Sequence, residues 1–292
     1  MTATVSRARL AYETLEPFHV LAYFNPGLPS ASAETGLDMH ALYVGGRGGP
    51  LGDCHHAVVT AAFYNFSPTL VETAWTSARA YGLSRLGEVR DRMLDEQLRT
   101  ILADRVDDAA LSDAADTLLG VVAALPRSGR PLGAAWAAAA VPDQPHLRLW
   151  YATAALREWR GDNHIATLVT AGLDGFDAAV FHEAALPDPT VRRRVLGKDM
   201  TVLTRGWSVD DWEAAVDRLA ARGLVERTDA GHRLTALGAA RYDDIEATTD
   251  ALGEAVWAQP GLVDTLTALR PYVKAVIDAG VLPGTRKNRS EA

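Results

Sequence analysis

The sequence predicts a mainly α fold of two pseudo-repeated helical halves, the second containing a winged helix with a short β-hairpin wing. Three observations carry that expectation. Apolar residues recur at helical spacing, as at Leu94, Leu98 and Leu102 and again at Leu118, Val122 and Leu125. Strand-like alternation is confined to the run around Leu224–Leu234. The 18 residues Phe66–Leu83 align without gaps on Trp207–Leu224, with six identities that include Ser67/Ser208, Glu72/Glu213 and Gly82/Gly223.

A chain of 292 residues is long enough for two domains, and 48% hydrophobic with 23% charged residues is globular rather than disordered composition. The net charge of −8 argues against general attraction to polyanions, while leaving room for a local basic patch. A single cysteine, Cys54, excludes an intrachain disulfide and fits a reducing cytoplasm. The opening MTATVSRARLAYETLEP lacks the continuous apolar run of a signal peptide, and Gly133–Val141 is too short to span a bilayer. A cytoplasmic protein with no membrane partner is expected.

Proline and glycine punctuate the chain at Asn25–Pro29, Gly45–Gly52, Pro126–Pro131, Val141–Pro145 and Pro187–Pro189. These breaks suggest an N-terminal helical domain over 1–125, a linker over 126–145, a C-terminal winged-helix domain over 146–284 and a flexible tail over 285–292. Gly45–Gly52 reads as a flexible connection. It would wrap an anion with help from Arg47, but it matches neither phosphate-loop pattern. In the first half Gly82-Leu83 runs almost directly into a helix over Leu86–Ile101, leaving no room for a wing. The N-terminal domain is therefore expected to be a degenerate, wingless copy, and the halves a covalent pseudo-dimer. Upstream, Gly36-Leu37-Asp38 echoes Gly172-Leu173-Asp174, and His19 after one helix echoes His164 after another.

Arg160-Gly161-Asp162-Asn163-His164 reads as a break between helices, with Gly161 ending one and Asp162 or Asn163 capping the next. Alternatively Asp162 orients His164 as a base or ligand. Further on, Ser208 caps a helix, with Asp210 and Asp211 in its first turn and Trp212, Val216 and Leu219 on one face. Gly223 ends it. Leu224–Arg227, the turn Thr228–Gly231 and His232–Leu234 follow as a hairpin, then a helix over Thr235–Asp250. Helix, strand, turn, strand, helix is the order of a winged helix over about residues 198–237.

The run RLAARGLVER, a turn and then LTALG resembles the winged helix of multiple-antibiotic-resistance (MarR-type) regulators. The whole chain also resembles an actinobacterial helix-turn-helix family, through LEPFHVLAYFNP (Leu15–Pro26), AAFYNFSP (Ala61–Pro68) and LREWRGDNHIATLVTAGLDG (Leu156–Gly175). That resemblance carries no activity over to individual residues.

If the winged helix reads DNA, its contacts come from Ser208, Arg218, Arg222, Arg227 and Arg233. The exposed face of this recognition helix nevertheless carries Asp210 and Asp217, with Glu213 and Asp211 on its flanks, and carboxylates aimed at phosphates are repelled. DNA is thus a disfavoured partner, and a winged-helix scaffold no longer used on DNA is the competing reading. For a small apolar ligand, His19, His164, Tyr12, Phe63, Tyr64 and Trp159 are the candidate residues, with Phe18, Tyr23 and Phe66 as further walls. His19 and His164 meeting across a pseudo-dyad would hold a ligand, a haem or a metal.

No metal site is assigned from the sequence. Cys54-His55-His56 lacks the second pair that structural zinc needs, and His182-Glu183 is half of a metalloprotease motif without its second histidine. No catalytic residue and no cofactor is assigned either, and the pattern leans away from an enzyme. Three functions remain: a ligand-responsive transcriptional regulator, a non-DNA small-molecule or cofactor binder or enzyme using His19 and His164, and a structural interaction protein.

Overall fold

The computed structural model describes residues 5–188, 190–191 and 195–285, so Pro189 and all of the expected tail except Thr285 lie outside the described residues. Within them are fourteen α-helices and one two-stranded antiparallel hairpin, the mainly helical class expected. In chain order the first seven helices are α1 (Arg7–His19), α2 (Leu28–Thr35), α3 (Met39–Gly48), α4 (His56–Phe63), α5 (Pro68–Tyr81), α6 (Leu83–Leu102) and α7 (Ala109–Ala124). Then come α8 (Pro131–Ala137), α9 (Pro145–Thr170), α10 (Gly175–Glu183), α11 (Lys198–Arg205) and α12 (Val209–Ala221). The hairpin β1 (Val225–Thr228) and β2 (Gly231–Leu234) precedes α13 (Ala236–Trp257) and α14 (Leu262–Asp278). No helix among the described residues is long and apolar enough to cross a membrane.

The described residues gather into two compact units, the first within 5–53, 77–162 and 250–285, the second within 54–76 and 163–249. In the first, Phe18 and Leu21, the α6 stripe Leu94, Leu98 and Leu102, Leu118, Trp150 and Val276 form one buried cluster. Residues 126–145 contribute to it, since α8 lies within them and its Trp136 is buried there. In the second, Phe176, Phe181, Trp212, Val216, Leu219, Leu234 and Ile245 form the core. The hairpin pairs Val225 with Leu234 and Arg227 with His232, and Ala185 adds one bridge to Arg233 on the edge of β2.

Two expectations are corrected. Gly45–Gly52 is no flexible connection in its first half: Gly45, Gly46 and Gly48 are buried in α3. A Cβ at Gly45 would stand 2.3 Å from Leu86 Cδ2 and 2.5 Å from Ala78 Cβ, so glycine is there for close approach. The stretch Arg160–His164 is likewise unbroken helix within the 26 residues of α9. Asp162 caps nothing in that helix; its carboxylate accepts a hydrogen bond from the Gly133 amide of α8 at 2.8 Å.

One succession of elements occurs twice. Gly36 and Gly172 both take positive φ, 71° and 67°, before buried Leu37 and Leu173. Asp38 and Asp174 then stand at the N-caps of α3 and α10. The eight-residue helices α4 and α11 follow, then α5 and α12. Ser67 Oγ accepts from the Leu70 amide and Ser208 Oγ from the Asp211 amide. Val71, Ala74, Trp75 and Ala78 are buried on α5, as are Trp212, Ala215, Val216 and Leu219 at the aligned positions of α12. Only the second succession has a hairpin before its next long helix.

Candidate functional site

The helix-turn-helix of the second unit is built by α11, the turn Gly206-Trp207 and α12. Ser208 and Asp211 cap α12 reciprocally, a box that satisfies two otherwise orphaned amides. Trp212 and Val216 point into the core, which leaves Asp210 and Asp217 exposed on the outer side and Glu213 half-buried on its flank.

The cations of this face are already engaged. Arg227 binds Glu213 at 2.6 Å and Asp217 at 2.7 Å, and Lys198 takes the other Glu213 oxygen at 2.6 Å. Hydrogen bonds from Lys198 and Arg227 hold the Glu213 carboxyl down at about 2. Arg218 is bound to Asp177, Arg222 to the carbonyls of Gly172 and Ala171, and Arg233 to Glu226. From Ser208 to Leu234 there are four arginines against six carboxylates. Such a face repels phosphate more than it attracts it. The cleft of about 600 Å³ beneath the wing is lined by the same paired groups, Lys198, Glu213 and Arg227 among them.

The turns that precede α5 and α12 touch each other. The Ser67 amide donates to the Arg205 carbonyl at 2.8 Å, and the Trp207 indole donates to the Asn65 carbonyl at 2.9 Å. Phe66 lies beneath the Arg205 guanidinium, 4.4 Å from ring centre to Cζ. Phe63 packs edge-on against Phe66, and Tyr64 hydrogen-bonds to the Leu173 carbonyl. Phe63, Tyr64 and Phe66, all expected to wall a ligand, are thus structural parts of this junction.

A second concentration of chemistry lies inside the first unit. Arg47 of α3 clasps Glu158 of α9 through two hydrogen bonds, 2.7 Å and 2.8 Å, and Glu158 is 1% exposed. Burial pushes the Glu158 carboxyl up, but the doubly bonded guanidinium outweighs it and holds the group below the ordinary carboxylate range. His19 Nε2 stands 3.9 Å from Glu158, and its ring stacks on Trp150 at 6.1 Å. Burial lowers the imidazole to about 4, against the pull of Glu16 and Glu158, so His19 is neutral at physiological pH. Tyr23 meets His19 edge-on at 5.3 Å, and its buried hydroxyl has no hydrogen-bond partner.

Beside this group is a narrow cleft of about 40 Å³ walled by Tyr23, Tyr43, Arg90, Leu42, Val89 and Met93. Arg90 is fully committed: it bonds Gly46 carbonyl, the Tyr151 hydroxyl and Asp91, and lies over Trp136 and Trp150. The charges around the cleft therefore cancel in pairs.

Among the other expected ligand residues, Tyr12 has the Arg160 guanidinium over its ring at 4.1 Å, and Trp159 donates to the Pro126 carbonyl at 2.8 Å. His164 is not grouped with His19. It belongs to the second unit, where its Nε2 stands 3.1 Å from Nε2 of His182. In Cys54-His55-His56, His55 caps α4 through the Ala57 amide and the Cys54 carbonyl accepts from Trp75. Glu158 escaped sequence reasoning, although a signal exists: it follows Trp150 and Ala154 at four-residue steps, a charge on a buried stripe.

No curated protein matches the chain, and no solved structure matches it. A model of one helix-turn-helix family matches residues 8–283. With a complete helix, turn, helix and wing inside that span, the chain belongs to this helix-turn-helix family.

Proposed function

We propose that this helix-turn-helix protein binds a small, uncharged, mainly apolar molecule in the cleft beside Tyr23, and that its winged helix is a scaffold rather than a reader of DNA half-sites. The observation that carries the ligand reading is the buried, unpartnered hydroxyl of Tyr23, a residue that walls the mainly apolar cleft. A buried hydroxyl without a partner costs about 1–3 kcal/mol, which a hydrogen-bonding ligand offsets. Burial raises the phenol well above its ordinary range, so it offers a proton to such a ligand. Met39, 47% exposed, and Met93 also line the cleft, and their unbranched side chains adapt its width. A charged ligand is disfavoured because Arg47 and Arg90 already have carboxylate partners.

Against a MarR-type mode on DNA stand both the charge of the α12 face and the junction of the turns. One reading keeps DNA in play, because the order α11, α12, hairpin, α13 is complete and Ser208 and Val209 are exposed at the helix start. The repeated succession of elements supports descent from a duplicated winged helix whose first copy lost its hairpin.

Native mass spectrometry of protein purified without refolding tests the ligand, and retention on mixed genomic DNA at low salt tests the alternative. The expected result is a bound small molecule in the wild type, absent from Tyr23→Phe, with no DNA retention. Retention that falls steeply with salt would restore the regulator reading, and equal ligand occupancy in Tyr23→Phe would remove the cleft from the argument.

A further inference from the structure

Three metal-ligating side chains, far apart in sequence, converge in the second unit. His164 comes from α9, His182 from the last turn of α10 and Glu246 from α13, and their ligand atoms all lie within 4.8 Å of one another. The imidazoles face nitrogen to nitrogen, Nε2 to Nε2, at 3.1 Å. Two nitrogens bound to one tetrahedral ion at about 2.0–2.1 Å stand about 3.3 Å apart. The observed spacing therefore suits a shared ion without any movement of the helices.

A second observation concerns the tautomer of His164. Thr249 donates its hydroxyl proton to the Ile245 carbonyl at 2.8 Å. The same Oγ1 lies 3.0 Å from His164 Nδ1, and with its proton spent it acts there as acceptor. Nδ1 thus carries the ring proton, and Nε2 turns its lone pair towards His182. An orienting acceptor on the far nitrogen is how proteins fix a metal-binding imidazole. Glu246 adds the negative charge: its Oε1 is 3.9 Å from His164 Nδ1, and its ligand oxygen lies within 4.8 Å of the ligand nitrogens of both imidazoles. With 19% and 18% of their side chains exposed, His164 and Glu246 are reachable from solvent.

We propose that His164, His182 and Glu246 bind a divalent transition-metal ion of the zinc type, with Thr249 as the positioning residue and one coordination position left open. Two imidazoles and one carboxylate select such an ion over magnesium or calcium, which favour all-oxygen sites. The ion takes the place of the proton that one imidazole must hold at Nε2 when the two rings bond directly.

The test titrates full-length, chelator-treated protein with Zn²⁺ by calorimetry and with Co²⁺ by its visible absorption. One equivalent is expected to bind with a tetrahedral-type cobalt spectrum. His182→Ala and Glu246→Gln should weaken binding at least about 100-fold, and Thr249→Val about 10–100-fold. Far-UV circular dichroism of the metal-free variants verifies folding; Glu246→Gln keeps the test decisive if His182→Ala fails to fold. Triple replacement of Cys54, His55 and His56 by alanine should leave the bound equivalent intact. Absence of saturable binding at micromolar metal would overturn the proposal, as would unchanged affinity in Glu246→Gln or loss of the equivalent in the triple variant.

Discussion

The Ser67 amide hydrogen-bonds to the Arg205 carbonyl at 2.8 Å, joining the turn before α5 to the turn before α12. Arg205 is three residues from Ser208, and at about 3.8 Å per residue the starts of the two helices lie within about 14 Å. Paired recognition helices must reach successive major grooves about 34 Å apart. Two helices whose first turns are tied together in this way cannot serve both half-sites of one operator. What remains for DNA is α12 alone, with its arginines engaged by carboxylates and carbonyls.

The same junction makes Gly206 intolerant of a side chain. A Cβ there would lie 2.4 Å from Leu70 Cδ1, 2.6 Å from Leu70 Cβ and 3.0 Å from Ser67 Oγ, and φ is 71°. Leu70 Cβ cannot rotate away, so the backbone must separate. Gly206→Ala should therefore lose about 3 kcal/mol, combining left-handed strain with overpacking, as read from urea unfolding. A loss below about 1 kcal/mol would mean that the turns are not held together.

Glu158 offers a test of the buried pair. Glu158→Gln leaves the Arg47 guanidinium enclosed without its counter-charge, and such a deletion costs about 3–5 kcal/mol. Replacing both partners, Arg47→Met with Glu158→Leu, removes the desolvation of both ions and should be the milder change. Denaturant midpoints of the single and double variants decide. A double variant less stable than Glu158→Gln would show that the pair contributes more than the charge it neutralises.

Periodicity and capping made much of the second half legible before any coordinates. Ser208, Gly223 and the alternation around Leu224–Leu234 are local signals, and the helix, hairpin and following helix stand where they indicate. Local signals failed where glycine sits inside a helix rather than at its end. Gly161 lies inside α9 and Gly45 inside α3. The polar groups were legible only singly. His19 was selected by its echo of His164, but Glu158 lies on a helix far along the chain, and His182 and Glu246 reach His164 from two other helices. Such groupings are set by topology, which spacing in one chain does not encode.

Gly45 weighs two opposing effects against each other. Alanine in the middle of a helix gains about 1 kcal/mol over glycine. Here its methyl would meet Ala78 Cβ at 2.5 Å as well as Leu86 Cδ2 at 2.3 Å. Leu86 can change rotamer, whereas Ala78 has none to change, so overpacking of about 1–3 kcal/mol should win. Gly45→Ala is expected to lower the thermal midpoint, and Gly46→Ala, with open space around its added carbon, to leave it equal or higher.

Two buried groups of the first unit bear on its stability between about pH 4 and 7 with opposite sign. His19 is held at about 4 by burial, below its ordinary 6.5. Between those values the unfolded chain takes up a proton that the folded chain refuses, so this contribution is complete above 6.5 and is lost as pH falls towards 4. Asp162 is pushed up to about 7 by burial, against the Gly133 amide and with the help of Glu158. Between its ordinary 3.8 and 7 the folded chain holds the extra proton, so stability falls as pH rises through that window. Each effect is worth roughly a few kcal/mol and they overlap, which flattens the wild-type profile between about 4 and 6.5. Asp162→Asn removes one side of the balance while keeping an oxygen acceptor for Gly133. Its unfolding free energy, followed by urea denaturation at several pH values, should climb from pH 4 to 6.5 more steeply than that of the wild type. A parallel pair of profiles would mean that Asp162 is ionised in the folded protein throughout the range.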